Sequence, residues 1–527
     1  GKHSPYWHVC CTNCVHPLMN RWLVAVTVML PTLIEIIDMS VVNVALDHIR
    51  GSLSAGIDEA TWAITMYLVS NAIIIPITGW LSRYFGRKVY LTFSIALFTV
   101  SSLLCGMAWN IQSLIVFRIF QGLGGGALQP ISQSILLETF PPRLHGVAMA
   151  VFGIGIMFGP IAGPVLGGVI TDYWSWRWIF FINIPVGIIS IFMTMLVIKD
   201  PPYMKKTRMK LDYPGLLLVA LGLGCLQIIL DRGQREDWFE SSMISWLTII
   251  SVVSLALFLI VELRTKEPVI DLRVFRNISF ATGNVIMFFA FFNLFGSIVL
   301  LPIYLQTLMG YTATLAGLVL GPGGFSSIIA LSIAGRLVTR INPKWILAFG
   351  ISTAALSTYM MSQFNLSADF ITVMWPRIIL GFGMGFIFIP LTNLSLSIIK
   401  KEGMGNATAL FNLIRNLGGS FGIAFVSTVL ARRAQFHQSN LVSHLTPFDM
   451  PYQIAVEKLK AFFHTLGFTD TMAKMAADGS IYRNLIKQAS MIAFNDTFWL
   501  MSIMLVATLP LLLIFKRPRH GEHMETM

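Results

Sequence analysis

Apolar residues along this chain do not alternate with polar ones; they come in blocks of about 20, parted by short stretches that hold charges, Pro or Gly. Wound as a helix, a block of that length covers the roughly 30 Å hydrocarbon layer of a bilayer. Fourteen such blocks are read, near 22–46, 60–81, 89–109, 112–137, 146–171, 176–198, 212–230, 243–263, 279–305, 313–335, 345–363, 370–398, 404–431 and 495–515. The pattern predicts an all-α polytopic membrane protein with fourteen transmembrane helices.

Composition agrees. Of 527 residues, 55% are hydrophobic and 12% charged, against roughly 25% charged in a soluble domain, so a soluble fold is excluded. A net charge of +12 on a soluble protein would point to nucleic acid. Here the position of the charges is what matters. With the N-terminus inside, cytoplasmic segments carry 23 of the 37 Lys and Arg, while the short outer loops carry only Arg50, Arg177, Arg232 and Arg235. Segment 432–494 carries seven more, but long loops translocate regardless of charge, so the short loops decide. Both termini are expected in the cytoplasm, and the span count is even. Arg118, Arg377 and Arg415 remain, all inside spans.

Spans 4 and 5 align without a gap onto spans 12 and 13 at a shift of 259 residues: Arg118 falls on Arg377, Gly122 on Gly381, Gly146 on Gly405, Gly159 on Gly418 and Gly163 on Gly422. Composition bias supplies glycine matches, but it does not put two rare intramembrane arginines in register. The run Gly79 to Lys88 falls on Gly335 to Lys344 at a shift of 256. The expected organisation is a tail 1–21, a six-helix half 22–199, two inserted helices with linkers 200–278, five helices of the second half 279–431, a long outer loop 432–494, a last helix 495–515 and a tail 516–527. Parallel halves of this kind describe a secondary transporter with its substrate site near the midplane between them.

Charges that a bilayer should exclude are the candidate chemistry. Glu35 and Asp38 are three apart and so share one face of span 1. Asp38 is a candidate proton carrier, held ionised by a cation such as Arg118 and protonated when a cavity opens outward; the plainer reading is a static hydrogen-bonding residue. For Glu35, proton carrier, contact to a cationic substrate and rim residue all stay open. Gly155, Gly159, Gly163 and Gly167 form a smooth stripe along span 5, with Pro160 and Pro164 expected to bend it. Close packing and a flexing seam both fit the stripe. Arg377 reads as a structural anchor or a functional residue, and Arg415 as a partner to a carboxylate or carbonyl. Gln129, Gln133 and Asn393, with Phe288, Phe292, Asn293 and Tyr304, are candidates to line a pocket for planar lipophilic ligands.

Four runs resemble the major facilitator superfamily. GWLSRYFGRK, from Gly79 through Gly86 and Arg87 to Lys88, resembles its inner-loop signature, with Arg83 where the usual Asp stands, which puts a gating ion pair through that Asp in doubt. RIFQGLGGG from Arg118 resembles the motif whose Arg is associated with proton coupling, and GIMFGPIAGPVLGG from Gly155 resembles the antiporter motif. IDMSVVNVAL from Ile37 resembles the signature of fourteen-span drug:proton antiporters. With Asp231-Arg232-Gly233 after span 7 and the long loop before span 14, the chain resembles the EmrB/QacA family over nearly its whole length from residue 22. The resemblance implies multidrug efflux of lipophilic, often weakly acidic toxic compounds. It also implies the bacterial inner membrane, no cofactor beyond the proton gradient, and hand-over to a periplasmic membrane-fusion adaptor of the EmrA kind and an outer-membrane channel of the TolC kind. Segment 432–494, read as short amphipathic helices, is then either the adaptor's landing place or a cap on the transporter's own mouth.

Other readings are weaker. Cys10, Cys11 and Cys14 with His3, His8 and His16 match no closed zinc site and read as a tail. No n-region, h-region and cleavage-site pattern is read ahead of the first span, which is expected to be its own insertion signal. No phosphate-binding loop motif is present, so ATP hydrolysis by this chain is not expected. A membrane-embedded enzyme would need a nucleophile, base and oxyanion donor together, and the intramembrane charges are instead scattered over repeat-related spans. A stand-alone antiporter and a proton-coupled importer are the nearer rivals.

Overall fold

The computed structural model describes residues 18–200, 212–265, 268–443, 445–446 and 448–515. The Cys/His tail and the basic runs at 205–210 and 516–519 lie outside them. The described residues are helical, without strand. The first half comprises α1 (Leu18–Ser52), α2 (Ile57–Phe85), α3 (Arg87–Gly106), α4 (Ile111–Gly125), α5 (Leu128–Thr139), α6 (His145–Tyr173), α7 (Trp178–Phe181) and α8 (Asn183–Val197). The inserted pair is α9 (Tyr213–Arg232) and α10 (Ser242–Arg264), and the second half is α11 (Ile278–Ile303), α12 (Ala313–Leu337), α13 (Pro343–Met361), α14 (Phe370–Leu396), α15 (Met404–Val442), α16 (Met450–Thr465) and α17 (Asp470–Val506).

Thirteen helical stretches are long and apolar enough to cross a bilayer. The 19-residue α13, packed between α14 and α17, makes the fourteenth crossing. Polar breaks become caps: Asn110 accepts from Ser113 N at 2.7 Å to open α4, and Asp369 accepts from Thr372 N at 3.1 Å to open α14. Within the apolar stretches, hydroxyls bond back into their own helix, as Thr27 does to Leu23 O at 2.7 Å.

The two halves repeat their packing. In the first, α1 lies on α6, α4 on α2 and α3, and α3 on α8; in the second, α11 lies on α15, α14 on α12 and α13, and α13 on α17. They meet through α2 with α15 and α6 with α12, pairs that the repeat exchanges, and through α5 with α15. Helix α9 bridges that seam. Arg232 donates to Asp58 O and Thr61 Oγ1, both at 2.9 Å, and stacks on Trp62, while Thr65 binds Asp231. Towards α15, Gln227 donates to Ser420 at 3.1 Å and Trp238 to Thr428 at 3.1 Å.

Segment 432–494 departs from the expected separate loop. α15 has 39 residues and α17 has 37, each about 55 Å or more at 1.5 Å per residue, so both overrun the bilayer and the boundaries at 431 and 495 fall inside continuous helices. Hydropathy drops where a helix leaves the membrane, but helix formation does not stop there. Arg433 and His437 on α15 hold Asp496 on α17 at 2.6 and 2.7 Å, and α16 folds back on α17.

Candidate functional site

Asp38 sits on the face of α1 that meets α4 and α8. Its Oδ2 lies 2.6 Å from Arg118 Nη1, and its Oδ1 accepts from Gln121 Nε2 at 3.0 Å and Asn183 Nδ2 at 2.8 Å. Ser102 on α3 accepts from Asn183 at 2.9 Å and donates to Phe180 O at 3.0 Å, closing the cage. Arg118 in turn lies over the Tyr67 ring, 4.1 Å from its centroid. Asp38 and Arg118 are each 1% exposed. A pair this deep survives because three donors satisfy the carboxylate; removing one partner strands a buried charge.

Glu35, one turn earlier, is fully buried and has a different environment. Its Oε1 accepts from Tyr67 Oη and Asn71 Nδ2, each at 3.2 Å, and its Oε2 from Gln129 Nε2 at 2.6 Å. All three donors are neutral. Gln129 on α5 also accepts, through Oε1, a hydrogen bond from Arg415 Nη2 on α15. A relay therefore crosses the seam from Arg415 through Gln129 to Glu35. One turn along α5, Gln133 accepts from Asn412 Nδ2 at 2.6 Å, a second link to α15.

The sequence reading singled out Glu35, Asp38, Arg118, Gln129, Gln133 and Arg415, and they lie in this cluster. It missed Gln121, Asn183, Ser102, Tyr67 and Asn71. Gln121 carried a signal, standing three residues after Arg118 and so on its face. Asn183 is an amide in an apolar span.

The remaining candidates are placed elsewhere. Arg377 is buried between α11, α12 and α14, donating from Nη1 to Ser297 Oγ at 3.1 Å. Phe288 and Phe292 pack on α15, where a Cβ at Gly418 or Gly422 would strike their carbonyl oxygens, and Asn293 donates to Met501 O at 3.3 Å. Tyr304 donates to Asn365 O at 2.8 Å and stacks on Phe364, bonding the end of the span rather than lining a midplane cavity. Asn393 is half-buried on α14, 16 residues from Arg377 and thus about 24 Å along the helix.

The glycine stripe of α6 faces α1 within its own half. A Cβ at Gly155 would come 2.5 Å from Met29 Cε, at Gly159 it would strike Ile36, at Gly163 Ser40, and at Gly167 it would lie 3.2 Å from Val41. The side chains of Pro160 and Pro164 are outside the described set. The seam itself is sealed at the Gly86 end by other glycines. A Cβ at Gly79 would lie 2.8 Å from Asn406 Cα and 2.9 Å from Gly405 O; a Cβ at Gly335 would lie 3.0 Å from Gly146 O. The repeat maps one contact onto the other. Beside this latch Gly86 has φ +90°, and Asp200 reaches over it to accept from Lys88 N at 2.9 Å, while Arg87 grips Glu138 with two bonds of 2.8 Å.

Two repeat-related six-helix halves, buried charges between helices and a glycine-sealed seam are the architecture of a membrane transporter. Residues 28–423 match the family described as Major Facilitator Superfamily. The chain belongs to that superfamily, among its EmrB-like drug transporters. It is 35% identical to the multidrug export protein EmrB of Escherichia coli over 95% of this chain and 97% of that one. It is 36% identical to the fatty acid resistance protein FarB of Neisseria gonorrhoeae over 96% and 98%. The fold matches the human organic anion transporter MFSD10 with a TM-score of 0.59 at 11% identity, covering 93% of this chain and 100% of that one.

Proposed function

We propose that this chain exports lipophilic toxic compounds from the bacterial cytoplasm across the inner membrane in exchange for protons, with both termini cytoplasmic. The supporting observation is the relay Arg415 to Gln129 to Glu35. Among the described residues no cation is bonded to Glu35, so taking up a proton breaks no ion pair, whereas protonating Asp38 would leave Arg118 stranded. Neutralising Glu35 weakens the Gln129 bond that faces it and with it the link to α15 in the other half. Proton occupancy and the seam are thereby coupled. Asp38 and Arg118 hold α1, α4 and α8 as one body around the titrating group.

The distribution of Lys and Arg supports a cytoplasmic position for the Gly86 end. The glycine latch then closes the cytoplasmic side, as one member of an alternating-access cycle requires. In this orientation α16 and the projecting ends of α15 and α17 stand in the periplasm, positioned to receive an EmrA-like adaptor that leads to a TolC-like channel. The energy source is the proton gradient, with no bound cofactor. The relatives' printed roles, multidrug export and fatty acid resistance, support this substrate range. In inside-out vesicles, collapsing the proton gradient during dye uptake is expected to stop transport; unchanged uptake would remove the antiport reading.

A further inference from the structure

The repeat that places Arg377 on Arg118 also places Ser297 on Asp38, at the same shift of 259 residues, and the two hydrogen bonds correspond: Arg118 to Asp38 at 2.6 Å, Arg377 to Ser297 at 3.1 Å. The second half has kept the arginine and its geometry but replaced the carboxylate by a neutral hydroxyl. The other first-half partners are gone as well. At the shift of 256 that relates α2 to α12, Tyr67 becomes Gly323, whose added Cβ would lie 3.1 Å from Arg377 Nε, and Gln121 becomes Leu380. Arg377 is 6% exposed, its Nε has no hydrogen-bond partner, and it forms no ion pair among the described residues.

A guanidinium buried without a counter-charge is unfavourable unless an anion arrives to meet it. Its planar fork fits a carboxylate edge-on. The helix that in the first half supplies the anion here supplies only a hydroxyl, which accepts from Arg377 and donates its own proton to Leu294 O at 2.7 Å, so it brings no charge to neutralise the guanidinium. With Leu380 in place of Gln121, the surroundings offer little to a second polar headgroup and favour an apolar body. We propose that Arg377 and Ser297 form an anion subsite that takes the single carboxylate of an amphipathic substrate. The first half thus carries the internal ion pair and the proton, and the second half carries a cation kept for the cargo. The assignment rests on the export reading above.

The test uses the full-length protein in nanodiscs. The probes are laurate, dodecyltrimethylammonium with the same tail and opposite charge, and chloride against gluconate as the free-anion arm. Ser297→Asp installs the first-half carboxylate opposite Arg377, so the guanidinium is paired internally and the fold is kept; Arg377→Gln removes the charge. Both variants are expected to bind laurate about tenfold or more weakly while binding dodecyltrimethylammonium no worse than wild type, with Ser297→Asp unfolding at or above the wild-type temperature. Chloride competing with laurate in wild type and not in Ser297→Asp would support the same site. Stabilisation by chloride that laurate does not displace would assign the subsite to a free anion and overturn the substrate assignment. Undiminished laurate binding in folded Ser297→Asp would overturn the subsite, including where Arg377→Gln alone loses binding, since that marks a structural role. Dye export that ignores the proton gradient would defeat the antiport reading while leaving the laurate result standing.

Discussion

Arg118 and Asp38 form an ion pair inside the first half, Nη1 to Oδ2 at 2.6 Å, with side chains 1% and 0% exposed. The cost of breaking it comes from the partner left behind. Asp38→Ala is expected to destabilise the protein by about 3–5 kcal/mol, as is Arg118→Met. The double variant is expected to lose less than the sum of the two, because neither charge is then stranded. Unfolding temperatures of the four proteins in one detergent check this; strict additivity would mean that the pair is not coupled.

Glu35→Gln keeps the size of the side chain and an oxygen to accept from Gln129, but it cannot titrate. Dye efflux by this variant is expected to fall to the level of wild type with its gradient collapsed, while dye binding in detergent stays within about threefold, or 0.65 kcal/mol, of wild type. Retained, gradient-sensitive efflux would transfer the proton to another group.

The latch makes a steric prediction. A side chain at Gly79 meets Asn406 and Gly405 backbone, and one at Gly335 meets Gly146 backbone, so neither seam can close over it. Gly79→Val and Gly335→Val are each expected to destabilise the latched state by about 1–3 kcal/mol. A cysteine placed at Asn342, in the α12–α13 turn at that end, is expected to react faster with a membrane-impermeant maleimide in inside-out vesicles carrying either variant. Equal labelling rates would show that the glycines do not hold the seam.

Helix α16 packs on α17 and bears exposed apolar side chains, among them Ile454 and Phe462. Replacing residues 446–468 with a short Gly/Ser linker spares α15, α17 and the Arg433–Asp496 pair. Adaptor co-purification is expected to be lost with dye binding intact. Loss of dye binding with adaptor retained would make α16 a cap.

Much of this was legible in the chain. Span positions follow from blocks of apolar residues, and the 259-residue register pairs Arg118 with Arg377. Asp38 and Glu35 stood out because ionised groups are costly in a bilayer. What the pattern did not carry was pairing across helices: Asn183 reaches Asp38 from α8, and Gln129 selects Arg415 among the polar residues of α15. Nor did it carry what a polar or aromatic residue in a span is used for: Tyr304 bonds Asn365 O near the end of its span. The extents of α15 and α17 were missed because hydropathy reports the membrane edge and not the helix end.

In the proposed function, Glu35 links proton binding to the opening of the seam. Spin labels at Trp109 and Gln363, exposed turn residues of the two halves at the end away from the latch, give the distance between halves by pulsed electron resonance as pH is varied. Wild type is expected to shift its distance distribution with pH, and Glu35→Gln to show one distribution at every pH while remaining folded. A pH response in Glu35→Gln identical to wild type would contradict the account.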